Sequence, residues 1–495
     1  MLLLLALLVV CLPVVRAQHE PSRATVIVGA KIVDGRGGPA RVGNVRIVGE
    51  RIAAVGAVAP APDDAVIEAG GKVVAPGFID IHNHSQRGLS RRPLAPSQVA
   101  QGITTVVMGP DGGSAFPIGA FLDRLEKSPP AVNVLTFVGH ATLRRRVLGE
   151  DWRRAARPDE VKQMAAQVAA AMREGAWGLS TGLEYDVGFY STTEEIIALA
   201  RVAARAGGVY MSHLRDECQL IFEALREAIR IGREAGLPVQ ISHIKMASVA
   251  VWGRAVEAIR LIEGAREAGV DVTADCYPYQ AWSSTITVLV PNGRRTDPES
   301  VAAGIADVGG AANVLITRSE KHPEYEFKTL AEIARERGIT PVDLYIEIVR
   351  EGGAGVVGRS MVEEDIRAFY TQPWVMVASD GGVASRHPRG AGTYPKVLGR
   401  YVRERGWLTL EEAIRKMTSL PATRLGLADR GVIREGMKAD LVVFDPERIL
   451  DRSTYQEPGR LPAGVEKVFV NGVLVWDNGA ATGARPGRVL RHSVP

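Results

Sequence analysis

The chain carries a His-x-His pair directly after a segment that is typical of a buried strand. The segment PGFIDIHNH (76–84) is mostly apolar up to this pair. Alternate side chains of a strand point to the same side, so His82 and His84 are expected to project together. Two neighbouring imidazoles suit a single metal ion, although a short histidine pair on its own also arises by chance.

Two more histidines and one acid stand at the ends of other predicted strands. His213 ends GGVYMSH, His243 ends LPVQISH, and Asp380 ends the apolar run WVMVASD before two glycines. Catalytic groups of parallel barrels gather at the C-terminal ends of the strands. A carboxylate there can bind metal and accept a proton from an attacking water. The chain has nine histidines. Four of these histidines lie at strand ends, together with Asp380. This pattern favours a metal site over the alternative that each histidine only caps its own strand.

The elements that position these residues alternate along the middle of the chain. Residues 219–235 carry apolar side chains at helical spacing, and Gly236 is a helix stop. A further helix is predicted at 254–268 and a further strand at 270–279. Repeated β-α units of this kind imply parallel strands joined by crossover helices. The sequence therefore predicts an α/β fold.

The two ends of the chain differ from the middle, because both are rich in short β-branched strands broken by glycine. We expect residues 22–78 and 427–495 to form one composite β domain around a barrel domain at 79–426. The rhythm breaks around 286–340, where we expect a small insertion. The 495 residues leave room for both domains.

The first residues, MLLLLALLVVCLPVVRA, fit a signal peptide over residues 1–17. We therefore expect an exported protein, periplasmic or secreted, with a lipid anchor on Cys11 as the alternative. No other segment is typical of a membrane span. Two cysteines remain after cleavage, Cys218 and Cys276, which fit buried thiols better than a disulfide framework.

The charge balance argues against a polyanionic partner. Sixty Lys and Arg stand against 56 Asp and Glu, a net charge of +4, which gives no reason to expect binding to nucleic acid or to an anionic membrane surface. We expect a small-molecule substrate, on the metal-site pattern and the resemblance given below. The oligomeric state stays open.

Motifs spread along nearly the whole chain after the leader resemble the amidohydrolase superfamily, and within it the N-acyl-D-amino-acid deacylase (D-aminoacylase) family. The segments that carry the resemblance are PGFIDIHNHS, QGITTVVMGPDGGS, NVLTFVGHATLRRRVLG, GAWGLSTGLEY, SHLRDE, QISHIKMA, DCYPYQAWSST, ASDGG with RHPRGAGTYPKVLGRYVRE, KMTSLPATRLGL, GVIREGMKADLVVFDP and VFVNGVLV with PGRVLR. The resemblance implies a (β/α)8 TIM-like barrel carrying a small β-sandwich that is assembled from both chain ends.

The resemblance also implies roles for the strand-end residues. His82 and His84 would hold the weaker of two metal ions, and His213 and His243 the tighter one, usually zinc. Asp380 would be an acid ligand beside the first ion. It would also be the general base that takes a proton from water and passes it to the leaving amine. One or two Zn²⁺ per chain are therefore expected.

One position departs from the family. Where the family has a metal-binding cysteine in V-V-x-G-N-C-G, this chain reads VMGPDGG, with Asp111 at the cysteine position. A carboxylate can bind or bridge divalent ions but is a harder ligand than thiolate, so metal preference and the number of ions are open. Capping of a turn by Asp111 is the alternative, and we expect ligation.

Substrate contacts are implied by the resemblance as well. Lys245 would meet the substrate carboxylate, and Arg215, Tyr277 and Ser284 match other contact positions, with Tyr279 as an alternative to Tyr277. In the wider superfamily a carboxylated lysine can bridge two metals, which is a rival role for Lys245.

Each contact also has a simpler interpretation. Arg215 can pair with Asp216 or Glu217, and the tyrosines can be packing residues. Glu184 and Tyr185, after the predicted strand WGLSTGL, are further candidates for the pocket wall.

Together these features predict metal-dependent hydrolysis of N-acyl-D-amino acids to a carboxylate and a D-amino acid. The D preference comes from the resemblance alone. The alternatives are another amidohydrolase, such as a D-dipeptidase or a cyclic amidase of the dihydroorotase or hydantoinase type, a metal-dependent deaminase, or a non-catalytic secreted binding protein.

Overall fold

A computed structural model describes residues 24–291 and 293–493. The predicted leader and Cys11 lie outside the described residues. The strands, in chain order, are β1 (Thr25–Ile32), β2 (Arg41–Val48), β3 (Arg51–Gly56), β4 (Ala65–Glu68), β5 (Val73–Pro76), β6 (Phe78–Asp80), β7 (Ile103–Met108), β8 (Asn133–Thr136), β9 (Val138–Gly139), β10 (Gly178–Gly182), β11 (Val209–His213), β12 (Val239–Ile241), β13 (Val272–Cys276), β14 (Trp282–Thr285), β15 (Val314–Arg318), β16 (Gly355–Gly358), β17 (Val375–Val377), β18 (Leu441–Phe444), β19 (Val465–Val470), β20 (Val473–Asp477) and β21 (Ala480–Ala481).

The helices lie mostly between the strands in the middle of the chain. They are α1 (Pro96–Val99), α2 (Ile118–Lys127), α3 (His140–Leu148), α4 (Pro158–Arg173), α5 (Asp186–Phe189), α6 (Thr193–Arg205), α7 (Ile221–Ala235), α8 (Ala255–Glu267), α9 (Pro298–Asp307), α10 (Leu330–Arg337), α11 (Pro341–Arg350), α12 (Glu363–Tyr370), α13 (Arg389–Lys396), α14 (Leu410–Met417) and α15 (Ser419–Leu425). A π-helical segment, Val397–Glu404, continues α13.

The two ends of the chain meet in one nine-stranded sheet. Its order is β21-β20-β19-β18-β5-β1-β2-β3, with β4 pairing β1. The join between the ends is the antiparallel pair of β5 and β18, in which Leu441 lies opposite Pro76. A separate cluster of buried apolar side chains packs on this sheet. The ends therefore fold together, as their shared composition indicates.

The middle of the chain forms two parallel sheets. One has the order β17-β13-β12-β11-β10-β9 and the other β6-β7-β8. Only Phe137 separates β8 from β9, and a parallel bridge joins Asn83 to Gly381 just after β6 and β17. Every residue of β10, β11, β12 and β13 is buried, which is usual for parallel strands that are covered by helices.

The predicted alternation of strands and helices is confirmed in the segment 219–279. Residues 219–235 give α7, whose apolar stripe is buried and which ends at Gly236 in the left-handed conformation, φ 70°. The predicted helix at 254–268 is α8, and the predicted strand at 270–279 is the shorter β13. Successive strands therefore present their C-terminal ends at one edge.

A three-stranded antiparallel sheet interrupts the parallel strands. It has the order β14-β16-β15, all antiparallel, and α9, α10 and α11 pack beside it around their own apolar cluster. This unit runs from Trp282 to Gly358 and returns the chain to β17. Among the described residues, none of the helices combines the length and the apolar character needed to cross a bilayer.

Candidate metal centre

Four of the predicted ligands form one group at the strand ends. The Nε2 atoms of His82 and His84 lie 3.4 and 3.3 Å from Asp111 Oδ2. The same two nitrogens lie 3.5 and 3.1 Å from Asp380 Oδ1. All four side chains thus turn one donor atom toward a common centre.

The other two histidines form a second group beside the first. His213 Nδ1 lies 3.0 Å from His243 Nε2, and His243 Nε2 lies 3.5 Å from Asp111 Oδ1. Asp111 therefore presents one carboxylate oxygen to each group, Oδ2 to the first and Oδ1 to the second. A carboxylate in this position has the geometry to bridge two ions.

The backbone is unusual at three of these residues. Asp111, His243 and Asp380 have φ of 55°, 35° and 46°, in the left-handed region that side-chain-bearing residues seldom adopt. Such conformations persist where the surroundings over-determine them, and they cluster at functional sites. All three residues are candidate ligands. This indicates that the backbone here adopts an unfavourable conformation in order to point the side chains at the metal site.

Two buried acids hold the ligand loops in place. Asp80 accepts hydrogen bonds from Asn83 Nδ2 (2.7 Å) and from the backbone N–H of Ser379 (2.8 Å), so it ties the His82–His84 turn to the Asp380 turn. Asp275 accepts from the backbone N–H of His243 at 2.8 Å. These supports fix the ligands from behind, which a metal site needs as much as the ligands themselves.

The donor set fits a divalent ion. Both ring nitrogens of buried His82, and Oδ1 of Asp111, lack a hydrogen-bond partner within the described part of the chain. Buried polar atoms are rarely left unpaired without a reason. With zinc–ligand bonds of about 2.0–2.1 Å, tetrahedral ligands lie about 3.4 Å apart, close to the spacings within the first group. Histidine and carboxylate donors are also the types that zinc binds.

The electrostatics favour a cation at the same place. Burial alone would lower the pKa of His84, but hydrogen bonds to Asp111 and Asp380 raise it to about 9. Burial likewise acts to lower the pKa of His243, but nearby acids, Glu217 first among them, raise it to about 10. The carboxylates thus draw positive charge onto the imidazoles. A bound divalent ion would supply that charge directly.

A cavity opens beside the second group and brings together most of the predicted substrate contacts. Lys245, Tyr277 and Ser284 line it, and so do Glu184 and Tyr185. The Tyr277 hydroxyl is buried without a hydrogen-bond partner in the described structure. Tyr279 does not line the cavity and packs against His387 instead.

Arg215 is the one predicted contact that the structure does not bring to this cavity. Its guanidinium makes two hydrogen bonds to Glu227, both of 2.8 Å, and one to the Phe189 carbonyl. The alternative interpretation of Arg215 paired it with Asp216 or Glu217. The partner is instead Glu227, which α7 carries.

Arg389, which sequence reasoning missed, supplies a guanidinium to the cavity. Its Nη1 lies 2.8 Å from Asp380 Oδ2, and its Cζ lies 4.6 Å from the centre of the Tyr277 ring. Burial would raise the pKa of the Asp380 carboxyl, but Arg389 and the nearby histidines hold it well below its usual range. The signal was present, since Arg389 lies in RHPRGAG only nine residues after Asp380.

Two glutamates complete the surroundings of the histidines. Glu184 Oε2 lies 2.8 Å from His213 Nε2, and Glu217 Oε1 lies 2.9 Å from His243 Nδ1. In both cases the carboxylate contacts the ring nitrogen that does not face the other histidine. A carboxylate behind a ligating imidazole fixes its tautomer and orientation. The sequence suggested Glu217 only as a partner for Arg215 and did not indicate its contact with His243.

Lys245 lies behind His243 rather than between the two groups. Its Nζ is 2.5 Å from Glu217 Oε2 and 2.7 Å from His243 Nδ1, the ring nitrogen that faces away from His213. The position between the groups is held by Asp111. This geometry speaks against a bridging, carboxylated lysine. Cys218 and Cys276 are free thiols, and Cys218 alone of the two lines the cavity.

Comparison with known proteins agrees with this geometry. A model described as the amidohydrolase family matches residues 65–476. An N-acyl-D-glutamate deacylase of Alcaligenes xylosoxydans xylosoxydans is 39% identical, covering 94% of this chain and 96% of its own. A D-aminoacylase of the same organism is 38% identical, covering 94% and 97%.

A solved structure is similar over the whole length as well. It is the N-acyl-D-glutamate deacylase of Bordetella bronchiseptica, in complex with zinc and a phosphonate inhibitor that mimics the tetrahedral intermediate. It is 36% identical with a TM-score of 0.87, covering 95% of this chain and 100% of the other.

The chain therefore belongs to the amidohydrolase family, and within it to the N-acyl-D-amino-acid deacylases.

Proposed function

We propose that the protein hydrolyses the amide bond of N-acyl-D-amino acids, giving a carboxylate and a free D-amino acid, with one or two zinc ions per chain. The observation that carries the proposal is the pair of donor groups that share Asp111, next to a cavity with two buried cations. The relatives supply the reaction class and the D configuration, because their names specify D-amino-acid deacylation.

Six residues would hold the ions. His82, His84 and Asp380 form one set, His213 and His243 the other, and Asp111 faces both. Zinc at such a site supplies Lewis acidity, which activates water and polarises an amide carbonyl. The remaining chemistry belongs to the side chains of this protein.

Asp380 is the proposed general base and acid. It is buried, and Arg389 and the nearby histidines keep its carboxylate ionised, which is the form that accepts a proton. It takes the proton of the attacking water and then delivers it to the amide nitrogen, so that the amine leaves as the C–N bond breaks. Oδ1 faces the metal group, and Oδ2 faces the Arg389 side of the cavity.

The two buried cations are the proposed anchors for the α-carboxylate. Lys245 Nζ and Arg389 Cζ lie 5.8 and 4.6 Å from the centre of the Tyr277 ring, so both positive charges converge on one region. The unpartnered hydroxyl of Tyr277 adds a hydrogen-bond donor there. Charge-assisted bonds to a carboxylate are among the stronger hydrogen bonds in proteins. Ser284, on the cavity wall, is a further proposed contact.

The test is amino-acid release by zinc-loaded protein from paired D and L substrates, namely the N-acetyl derivatives of methionine, leucine, glutamate and aspartate. Release from D forms alone, lost in Asp380→Asn, is the expected result. The matched control is Asp343→Asn, an exposed acid in α11 outside the cavity, which should leave the rate unchanged. Absence of release from every D substrate by protein that contains zinc would reject the deacylase function.

The same reasoning supports a finer description of the fold. We propose that β6, β7, β8 with β9, β10, β11, β12, β13 and β17 form a closed (β/α)8 barrel, which the contact between Asn83 and Gly381 supports. The nine-stranded sheet would be a small β-sandwich domain at 22–78 and 427–495, the barrel domain would span 79–426, and the insertion would lie around 286–340. Removal of the whole antiparallel unit, from Trp282 to Gly358, takes most of its apolar cluster with it and should leave the zinc content intact if the barrel is complete without this insertion.

Export by a signal peptide at residues 1–17 is also proposed, on the sequence pattern alone. N-terminal sequencing of the protein after expression with its complete leader tests it. A new terminus near Gln18 is expected, and an intact Met1 would reject export by this route.

A further inference from the structure

We propose that His387 is a positioning residue for Arg389, because its imidazole holds the turn that directs the Arg389 guanidinium into the cavity beside the metal centre. The inference deepens the proposed deacylase function and rests on it, since Arg389 is there an anchor for the substrate α-carboxylate and the ion-pair partner of Asp380. His387 is fully buried and is not among the residues that line the cavity. It therefore acts through Arg389 and not on the substrate.

Helix α13 begins at Arg389 without a cap from the residue before it. The first backbone N–H groups of a helix have no partner within the helix and need an acceptor from outside. Pro388 precedes α13, and its side chain has no polar atom and makes no capping hydrogen bond. The Nδ1 atom of His387 supplies the acceptor and receives the backbone N–H of Arg389 at 3.0 Å. His387 thus takes the role that serine or aspartate has at an ordinary helix start.

This hydrogen bond defines the form of the His387 ring that can do the work. Nδ1 accepts a hydrogen bond only when it carries no proton, so the neutral ring has its proton on Nε2. Burial and the positive charge of Arg389 both lower the pKa of His387 well below its ordinary value. The imidazole is therefore neutral, which is the form that holds the Arg389 N–H.

The His387 ring has a fixed place between two tyrosine rings. Its centre lies 5.3 Å from the centre of the Tyr279 ring and 5.3 Å from that of Tyr455, and both pairs meet edge to face, at 89° and 88°. Edge-to-face contacts are a favourable arrangement of aromatic rings. Tyr279 follows β13, whereas Tyr455 comes from the segment between β18 and β19. Packing from two sides restricts rotation of the ring, so Nδ1 stays directed at the Arg389 N–H.

The rest of the turn before Arg389 is supported by two serines. Ser385 Oγ donates to the His387 carbonyl at 3.1 Å and accepts the His387 backbone N–H at 3.2 Å. Ser453 Oγ donates to the Pro388 carbonyl at 3.0 Å. These contacts hold the residues that precede α13, and the contact from His387 Nδ1 passes this support on to Arg389 itself.

The two ends of Arg389 are thus held from different directions. His387 holds its backbone N–H, and Asp380 Oδ2 lies 2.8 Å from Nη1 of its guanidinium. A small displacement of a group that positions the substrate can cost much of the rate. Loss of the His387 acceptor should let the first turn of α13 shift. That shift weakens both the contact with the substrate carboxylate and the ion pair with Asp380.

A double-mutant cycle distinguishes positioning of Arg389 from general support of the fold. His387→Phe keeps an aromatic ring between the tyrosines and removes the acceptor, so kcat/KM of zinc-loaded protein for its best N-acetyl-D-amino acid should fall about 10-fold. In the Arg389→Met background the same substitution should change kcat/KM by less than about 2-fold, because the guanidinium that it positions is gone. An equal factor in both backgrounds would overturn the inference.

Two further variants test whether the acceptor is the property that matters. His387→Asn carries a side-chain oxygen that can accept the N–H two residues further on, so it should recover kcat/KM to within about 3-fold of the unsubstituted protein. His387→Ala has no acceptor and introduces no clash, so it should lose as much activity as His387→Phe. This variant keeps the test decisive if His387→Phe does not fold. Equal activity of the alanine and asparagine variants would contradict the inference.

The matched control is His140→Phe, the same exchange at a second fully buried histidine. The His140 ring contacts Glu195 at 2.8 Å, and His140 is not among the cavity-lining residues. Whatever factor this control produces should be the same with and without Arg389→Met. A coupling to Arg389→Met as large as that of His387→Phe would mean that the cycle reports general destabilisation, and the inference would fail.

Hydrogen exchange of the segment 385–396, followed by mass spectrometry, tests the same turn without any substrate. Exchange should become about 10-fold faster in His387→Phe and His387→Ala and return towards the original rate in His387→Asn. Unchanged exchange in all three variants would overturn the inference. If the unsubstituted, zinc-containing protein hydrolyses no D substrate, the deacylase function fails together with the inference. An active protein with an additive cycle rejects the inference alone.

Discussion

The two walls of the cavity are built in different ways. The wall beside the metal centre consists mainly of polar residues at the ends of buried parallel strands, and two of them, His243 and Asp380, hold left-handed backbone conformations. The opposite wall comes from the antiparallel unit around β14 and α9, and its side chains are mainly apolar. The first wall is fixed by buried acids such as Asp80 and Asp275. The second wall is fixed by apolar packing.

This difference suggests that one wall carries out the reaction and the other selects the substrate. The polar wall requires each donor atom at a set distance, so a single change there affects the reaction itself. The apolar wall requires shape and the absence of charge, so a single change there affects which substrate fits. Specificity can then vary on one wall without loss of the chemistry on the other, as is common where a site is grafted onto a rigid scaffold.

Removal of the metal tests the polar wall most severely. Protein treated with a chelator should lose more than about 10³-fold in kcat/KM for its best D substrate, because several kcal/mol of charge stabilisation disappear. Addition of zinc should restore the activity. The accompanying measurement is zinc content by elemental analysis. Full activity in protein shown to be free of metal would mean that the six strand-end residues serve another purpose.

Separate substitutions of Arg389 and Arg215 test which of the two arginines binds the substrate. Arg389→Met should lower kcat/KM about 10- to 150-fold, through KM because a charge-assisted bond to the substrate carboxylate is lost, and through kcat because Asp380 loses its ion-pair partner. Arg389→Lys should recover part of the loss. Arg215→Met removes a cation that is paired with Glu227 and lies outside the cavity lining, so KM should change little. A larger rise of KM in the Arg215 variant would favour the assignment that the family resemblance implies.

The contrast between these arginines shows what the sequence could and could not predict. His82, His84, His213, His243 and Asp380 were predictable because each follows an apolar strand and parallel strands end at one edge. Asp111 was predictable only from its place in a motif. Whether an arginine reaches the cavity depends on its competing partner. Glu227 lies 12 residues beyond Arg215, in α7. No periodicity in the sequence reveals that its carboxylate forms an ion pair with the Arg215 guanidinium.

The fold was predictable to a similar depth. Repeated β-α units indicated parallel strands in the middle of the chain. Short β-branched strands broken by glycine at both ends indicated a shared sheet there. The structure has both features. The extent of the antiparallel unit was harder to predict. Its strands β14 and β16 pair although residues 286–354 lie between them, so Trp282 and Gly358 look unrelated in the sequence although they lie opposite one another.

Asp111 offers a smaller and more specific test of the polar wall. Asp111→Ala should lower the zinc content per chain below that of the unsubstituted protein measured in parallel, because the carboxylate faces both donor groups. Asp111→Cys should restore metal binding, since thiolate is a good zinc ligand. Elemental analysis after dialysis measures both. An unchanged stoichiometry in the alanine variant would remove Asp111 from the ligands and leave it as a residue of the turn with Gly112 and Gly113.

The smallest expected effect compares the packing of the two walls. Val106, in β7, is enclosed by the core, whereas Val308 borders the cavity beside the metal centre. Val106→Ala should destabilise the protein by about 2 kcal/mol, from lost burial together with the void left behind. Val308→Ala should cost about 1 kcal/mol, because part of its surface already faces the cavity and has fewer contacts to lose. Thermal unfolding midpoints of the zinc-loaded variants give the order. A greater loss at Val308 would mean that the apolar wall is as tightly packed as the strand core, and the cavity would then have little room to adapt to new substrates.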